Sequence, residues 1–147
     1  MNVKIAGIIY LHQITNNRAN RSLLKNLKLF SRLCGQEAMP NVVIATTMWD
    51  VIKEERGAVR EADLRKNFWM DMLAEGCSTA RFDNTYETAW NIVASIVQKN
   101  SSTSLLIQQE LIGGANLAET GAGTFLEEAS PQVPKSLLRR IRKGFSS

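Results

Sequence analysis

The stretch "NVVIATTMWD", residues 41–50, carries an apolar run to an abrupt end at a lone carboxylate, Asp50. A carboxylate at a strand tip can accept two parallel hydrogen bonds from a ligand with two adjacent N–H donors. The ring N–H and amino group of guanine form such a pair, and adenine offers none on that edge. One Asp can therefore read a base. The same residue can also do something plainer, turning the chain or capping the next helix. From the residue alone both readings stand.

Other reactive side chains offer less. His12 is the only histidine and follows the first apolar run. It could be joined with Asp50 in a Ser-His-Asp arrangement, but no G-x-S-x-G nucleophile elbow is present, so a structural role is expected. Cys34 and Cys77 make no disulfide framework and sit near no second metal ligand at a usable spacing. They read as quiet buried thiols of a reduced, intracellular and cytoplasmic setting. Glu54, Glu55, Glu61 and Asp63 read as a solvated loop and a helix N-terminus, where acidic groups suit the dipole, and not as a metal site. Trp69 and Trp90 fall on helical apolar stripes and are expected in the core. Trp49 could pack behind the strand tip or lie over a ligand. The phosphate-cradling pattern G-x-x-x-x-G-K-[ST] does not occur, and the nearest glycine cluster, "GGANLAETGAG", has no Lys.

The elements that must position these groups follow from periodicity. Residues 3–11, "VKIAGIIYL", and the stretch "NVVIAT" are continuous apolar runs, which predicts strands buried on both faces. "STARF" predicts a short third strand. Leu23, Leu27, Phe30 and Cys34 recur at helical spacing before Gly35, a helix stop. "VIKEERGAV" reads as a polar connector. "READLRKNFWMDMLAEG" then stacks Leu64, Phe68 and Met72, with Trp69 and Leu73 alongside, and ends at Gly76. "NTYETAWNIVASIVQKN" opens on a cap-like Asn84 or Thr85 and puts Tyr86, Trp90 or Ala89, Val93 and Val97 on one face. "SLLIQQELIGG" is a further helical segment, and "ANLAETGAGTFLEEASPQVP" is expected to be loose. Strand–helix alternation at this spacing predicts an α/β fold: a three-layer, mostly parallel sheet of about three strands with packed helices. Residues 1–112 form the folded unit and 113–147 a loose C-terminal segment. Ligands of such sheets sit beyond the carboxyl ends of the strands, where "TMWD" and "RFDN" both fall.

Composition agrees with a globular chain of 147 residues, 44% hydrophobic and 22% charged. No apolar run is long enough to span a membrane. Five of the 18 basic residues, Lys135, Arg139, Arg140, Arg142 and Lys143, lie in the last stretch, leaving 13 against 14 acidic residues elsewhere. That near-neutral body excludes a broad nucleic-acid-binding face. The tail has an amphipathic pattern that can lie on anionic lipid, but it reads first as a solvated end.

In order and spacing, "GIIYLHQITNNR", "SLLKNLKLFSRLCG", "NVVIATTMWD", "READLRKNFWMDML" and "RFDNTYETAWNIV" resemble the later half of a group of fungal G-domain proteins. Those are P-loop GTPase-like, related to the chloroplast-import (Toc) and immune-associated (GIMAP-type) GTPases, and the likeness runs from about residue 5 to 125. It implies that "TMWD" stands where the guanine-specificity motif Asn-Lys-x-Asp belongs. Asp50 would read the base, Thr47 would replace the Asn, and Met48 the Lys whose stem lies over the base. Phe82, Asp83 or Asn84 would supply the last guanine-contacting loop. It also implies that the phosphate loop, the switch region and the Mg²⁺-holding residues precede the strand with which this sequence begins. The expectation is a partial P-loop NTPase G domain that binds GTP or GDP weakly and takes Mg²⁺ only if the missing half is supplied. GTP hydrolysis by this chain alone is not expected. The alternative is a non-enzymatic protein-interaction module with a vestigial nucleotide site. In a complete G domain "KIAGIIYLH" is a central strand. Here its outer edge would be open to a protein partner or to self-association, unless the stretch from Ser104 covers it.

Overall fold

The computed structural model describes residues 3–16 and 21–129. The basic tail at 135–143 lies outside the described residues. The chain runs β1 (Ile8–Gln13), α1 (Arg21–Cys34), a 3-10 turn (Gln36–Asn41), β2 (Val42–Thr47), a second 3-10 turn (Trp49–Val51) and α2 (Glu54–Asn67). It continues through α3 (Met70–Ala74), β3 (Ser78–Arg81), α4 (Tyr86–Val97), α5 (Leu106–Ile112), a third 3-10 turn (Leu117–Glu119) and α6 (Gly121–Ala129). The sheet is parallel, in the order β1-β2-β3. The chain is thus a mixed α/β protein with a three-stranded parallel sheet.

Central β2 is buried on both faces, as its unbroken apolar run predicts. On one face, Val42 and Ile44 join Leu27, Cys34, Leu64, Trp69 and Met72 in the main core, with Ile8, Tyr10 and Phe30 packed against it. On the other face, Val43 and Ala45 meet Ile92 and Ile96 of α4, flanked by Ala80 and Phe82. Asn41, just before β2, ties the N-terminal end of the sheet together. Its Nδ2 donates to the Ala6 carbonyl at 2.9 Å and to Ser101 Oγ at 3.1 Å.

Helix ends follow the glycines. Gly35 takes φ 77° after α1 and Gly76 takes φ 104° after α3, a left-handed backbone that glycine adopts without a Cβ penalty. Between α2 and α3 the amides of Phe68 and Trp69 both donate to the Leu64 carbonyl, at 2.9 and 2.8 Å. That break turns the expected single helix into two and drops Trp69 into the core.

Other expectations change too. β1 begins at Ile8, not at residue 3, because the chain before it leaves the sheet and Ile5 instead bridges Thr103 antiparallel. β1 is half-exposed, not buried on both faces, since it is an edge strand and α4 sits over β2. α2 starts at Glu54, inside the expected connector, so that Glu54 and Glu55 occupy its first turn. The glycine-rich stretch expected to be loose contains α6, whose Ala122 is buried and which packs on α1. Among the described residues no helix is long and apolar enough to cross a membrane.

Candidate functional site

The carboxyl ends of β2 and β3 build a shelf. β2 ends at Thr47, whose carbonyl accepts from Ile14 N at 3.0 Å, while the Phe82 amide donates to the Thr46 carbonyl at 2.8 Å. The segments 47–50 and 82–84 therefore leave the sheet side by side, as their placement after parallel strands requires. Met48 (φ 67°) and Asn84 (φ 68°) both adopt a left-handed backbone. This costs Met48 about 1–2 kcal/mol, whereas asparagine accepts that backbone more readily. Among the described residues the only other non-glycine at positive φ is Asn100. Strain of this kind gathers where a loop is held to present something.

What the shelf presents is Asp50. It lies exposed in the 3-10 turn, and among the described residues no hydrogen bond or ion pair engages its carboxylate. It caps nothing: the N-cap of α2 is Lys53, which makes no side-chain capping bond. Of the plainer roles the sequence leaves open to this residue, the cap is not realised, whereas the turn is: Asp50 is the middle residue of the 3-10 turn Trp49–Val51. Met48, 42% exposed, offers an apolar side chain next to it.

Trp49 is a brace. Its Nε1 donates to Thr46 Oγ1 at 2.9 Å, and the Arg81 guanidinium lies 4.0 Å from its ring centroid. Arg81 in turn binds Glu54 at 2.7 Å and reaches both oxygens of Glu61 through Nε, at 3.1 and 3.0 Å. The Glu61 and Glu54 hydrogen bonds hold its guanidinium further above its ordinary pKa. Of the expected acidic group, Glu54 and Glu61 thus serve Arg81, and no metal-holding cluster occurs among the described residues. Gly57 of α2 lies against the six-membered part of the ring, where an added Cβ would sit 2.5 Å from Trp49 Cζ3. Gly57→Ala should therefore push the indole aside and cost about 1 kcal/mol or more by overpacking. A urea midpoint equal to the parent's, with unchanged tryptophan fluorescence, would refute the brace.

The loop after β3 divides its labour. Asp83 accepts from the Thr85 and Thr88 hydroxyls and from the Thr85 amide. Those bonds, Thr85 first, hold its carboxyl below the usual range. Thr85 caps α4 by accepting from Thr88 N. Asp83 is thus committed to starting the helix, whereas the exposed Asn84 side chain makes no hydrogen bond among the described residues. The structure brings Thr47, Met48, Asp50 and Asn84 to one end of the sheet. His12 is not among them: it points into the core, edge-on to Trp69. Sequence reading missed Arg81, whose role depends on Glu54 and Glu61, two turns apart on α2, which share one helix only because it starts at Glu54.

A concavity of about 560 Å³ lined by Arg32, Gln36, Glu37, Glu75 and Gln109 lies beside the 3-10 turn that precedes β2, at the opposite end of the sheet. Gln36 already donates to Glu75 within it. Comparison of the chain with protein families, with curated proteins and with solved structures gave no match.

Proposed function

We infer that the end of the sheet at Asp50 is a guanine-recognition shelf of a G-domain-like, P-loop NTPase-related fold. The observation that carries this reading is the free, exposed Asp50 carboxylate, held at a strand tip by a braced neighbour and used by no other group. Asp50 accepts the ring N–H and amino group of guanine. Met48 lends apolar contact to the base, and Thr47 and Asn84 flank it. The ligand is GTP or GDP. A phosphate loop and Mg²⁺ ligands are not among these residues, so the shelf reads the base and does not hydrolyse. Hydrogen bonds from one carboxylate contribute about 1.5–3 kcal/mol, which by itself is weak binding.

Calorimetric titration with GTP, GDP and ATP tests it. Guanine nucleotides should bind more tightly than ATP, and Asp50→Ala should remove about 1.5–3 kcal/mol, roughly tenfold to a hundredfold in Kd. Asp50→Ala should fold normally, since the carboxylate makes no internal bond. Equal affinity for GTP and ATP, or an unchanged GTP affinity in the variant, would sink the reading.

A second reading, a protein-interaction module, is favoured by one observation. β1 is the edge of the sheet and two of its apolar side chains, Ile9 and Leu11, are exposed.

A further inference from the structure

β1 pairs only with β2, so along Ile8–Gln13 the backbone groups that point away from β2 meet no strand among the described residues. Edges of this kind are ordinarily blunted by lysine, proline or a bulge. "IIYLHQ" has no charged residue and no proline. Two of the three residues on its outward face are apolar, Leu11 66% and Ile9 37% exposed, and the third is Gln13 at the strand's end.

The same side of the molecule carries a second bare surface. Ile92 and Ile96 point α4 at the sheet. Tyr86, Trp90, Val93 and Val97 follow one another at helical spacing about 100° further round, and all four are exposed, Tyr86 by 84% and Trp90 by 57%. The direction of that stripe is fixed by handedness. Crossovers between parallel strands are right-handed as a rule, and α2 of the β2–α2–β3 crossover lies on the face opposite α4. Helix α4 runs against the strand direction, from the end of β3 back to Gly7, where Ile96 packs. Turning clockwise along that path, the stripe faces the β1 side. Floor (Ile9, Leu11) and wall (Trp90, Val93, Val97) thus make one apolar step along an open strand edge. This corrects the expectation that Trp90 is core.

We propose that the step is a homodimer interface, in which β1 pairs antiparallel with β1 of a second copy to give a continuous six-stranded sheet. A two-fold axis through the paired strands lays each step against the other. Because the stripe and strand carry no charge, a copy meets no like-charge repulsion. The dimensions suit a copy. Strands are spaced by about 4.8 Å, so the two β2 strands, and the α4 helices over them, come about 14 Å apart. Bare helices pack at about 8–10 Å, and a tryptophan from each side fills the remainder. A six-residue edge alone falls short of the roughly 800 Å² per partner of a standard interface, and the α4 stripe extends it. The strands of the two copies run in opposite directions, so the two Asp50 shelves face opposite ends of the dimer and stay open. The proposal is independent of the nucleotide reading.

Light scattering on the full chain across a micromolar concentration series tests it, with Leu11→Lys and Trp90→Glu as variants. Both side chains are more exposed than buried, so circular dichroism should show an intact fold. The parent should have twice the 16.4 kDa mass of one chain. Each variant should shift the midpoint of dissociation at least tenfold upward. Hydrogen exchange should show alternate amides of β1 gaining protection with concentration. A monomeric parent, a dimer indifferent to both variants, or β1 amides whose exchange ignores concentration would each overturn it. So would association that consists of polydisperse aggregates rather than a defined dimer.

Discussion

Trp69→Ala should cost about 3–5 kcal/mol, the range for removing a fully buried tryptophan, a large share of the roughly 5–15 kcal/mol that holds a domain folded. The indole is wholly inaccessible and is the largest buried side chain among the described residues. It follows the break between α2 and α3 and packs among Ile44, Leu64 and Met72. It also meets the edge of His12, ring centroids 5.6 Å apart at 84°. Its truncation would open a cavity in the cluster where α2, α3 and β2 meet. Trp69→Phe should behave differently. The Trp69 Nε1 is buried without a hydrogen-bond partner among the described residues. A phenyl ring gives up some packing volume but relieves that desolvated N–H, whose burial costs about 1–3 kcal/mol. The two effects oppose, and the Phe variant should lie much closer to the parent. Urea unfolding followed by circular dichroism decides: a Phe variant as unstable as the Ala variant would mean that Nε1 is satisfied in solution.

The core was readable in the sequence because its periodicities are clean. Leu23, Leu27, Phe30 and Cys34 mark the inner face of α1, and the unbroken "VVIAT" of β2 has two buried faces as such runs should. The apolar run of β1 looked the same and is not, because whether a strand is central or at the edge is decided by its neighbours, not by its own residues. Trp90 failed for the same reason. A helix stripe says which residues share a face, and only the placement of α4 over β2 shows that the sheet takes Ile92 and Ile96 instead. Asp50 could be located at a strand tip from its sequence, but not its freedom from internal bonds. That freedom depends on α2 beginning at Glu54 behind Lys53, which leaves Asp50 short of the capping position. Arg81 and Gly57 left no trace in sequence, since their partner is the ring of Trp49 brought in from another segment.

Below neutral pH the stability should fall because of one residue, His12. Its side chain is 6% exposed, its Nε2 has no partner among the described residues, and burial pushes its pKa below the ordinary 6.5. The folded state therefore binds fewer protons than the unfolded one between that lowered value and 6.5. Stability is full above pH 6.5 and declines as pH falls through the window, with a slope approaching about 1.4 kcal/mol per pH unit. The decline levels off once the folded histidine itself takes a proton. Other shifted groups leave this window clear. Tyr10, Cys34 and Cys77 are pushed upward by burial, the two thiols to about 11, and Asp83 is held below 3.8. His12→Phe keeps a ring against Trp69 and removes the titration. Its urea midpoint should be nearly flat between pH 6.5 and 5, where the parent's descends. Parallel curves for the two proteins would place the acid sensitivity elsewhere, and a flat parent would mean that His12 is reached by water. The physical cause is the same one that makes Trp69 costly to lose. Two aromatic rings with polar edges are buried together in the core.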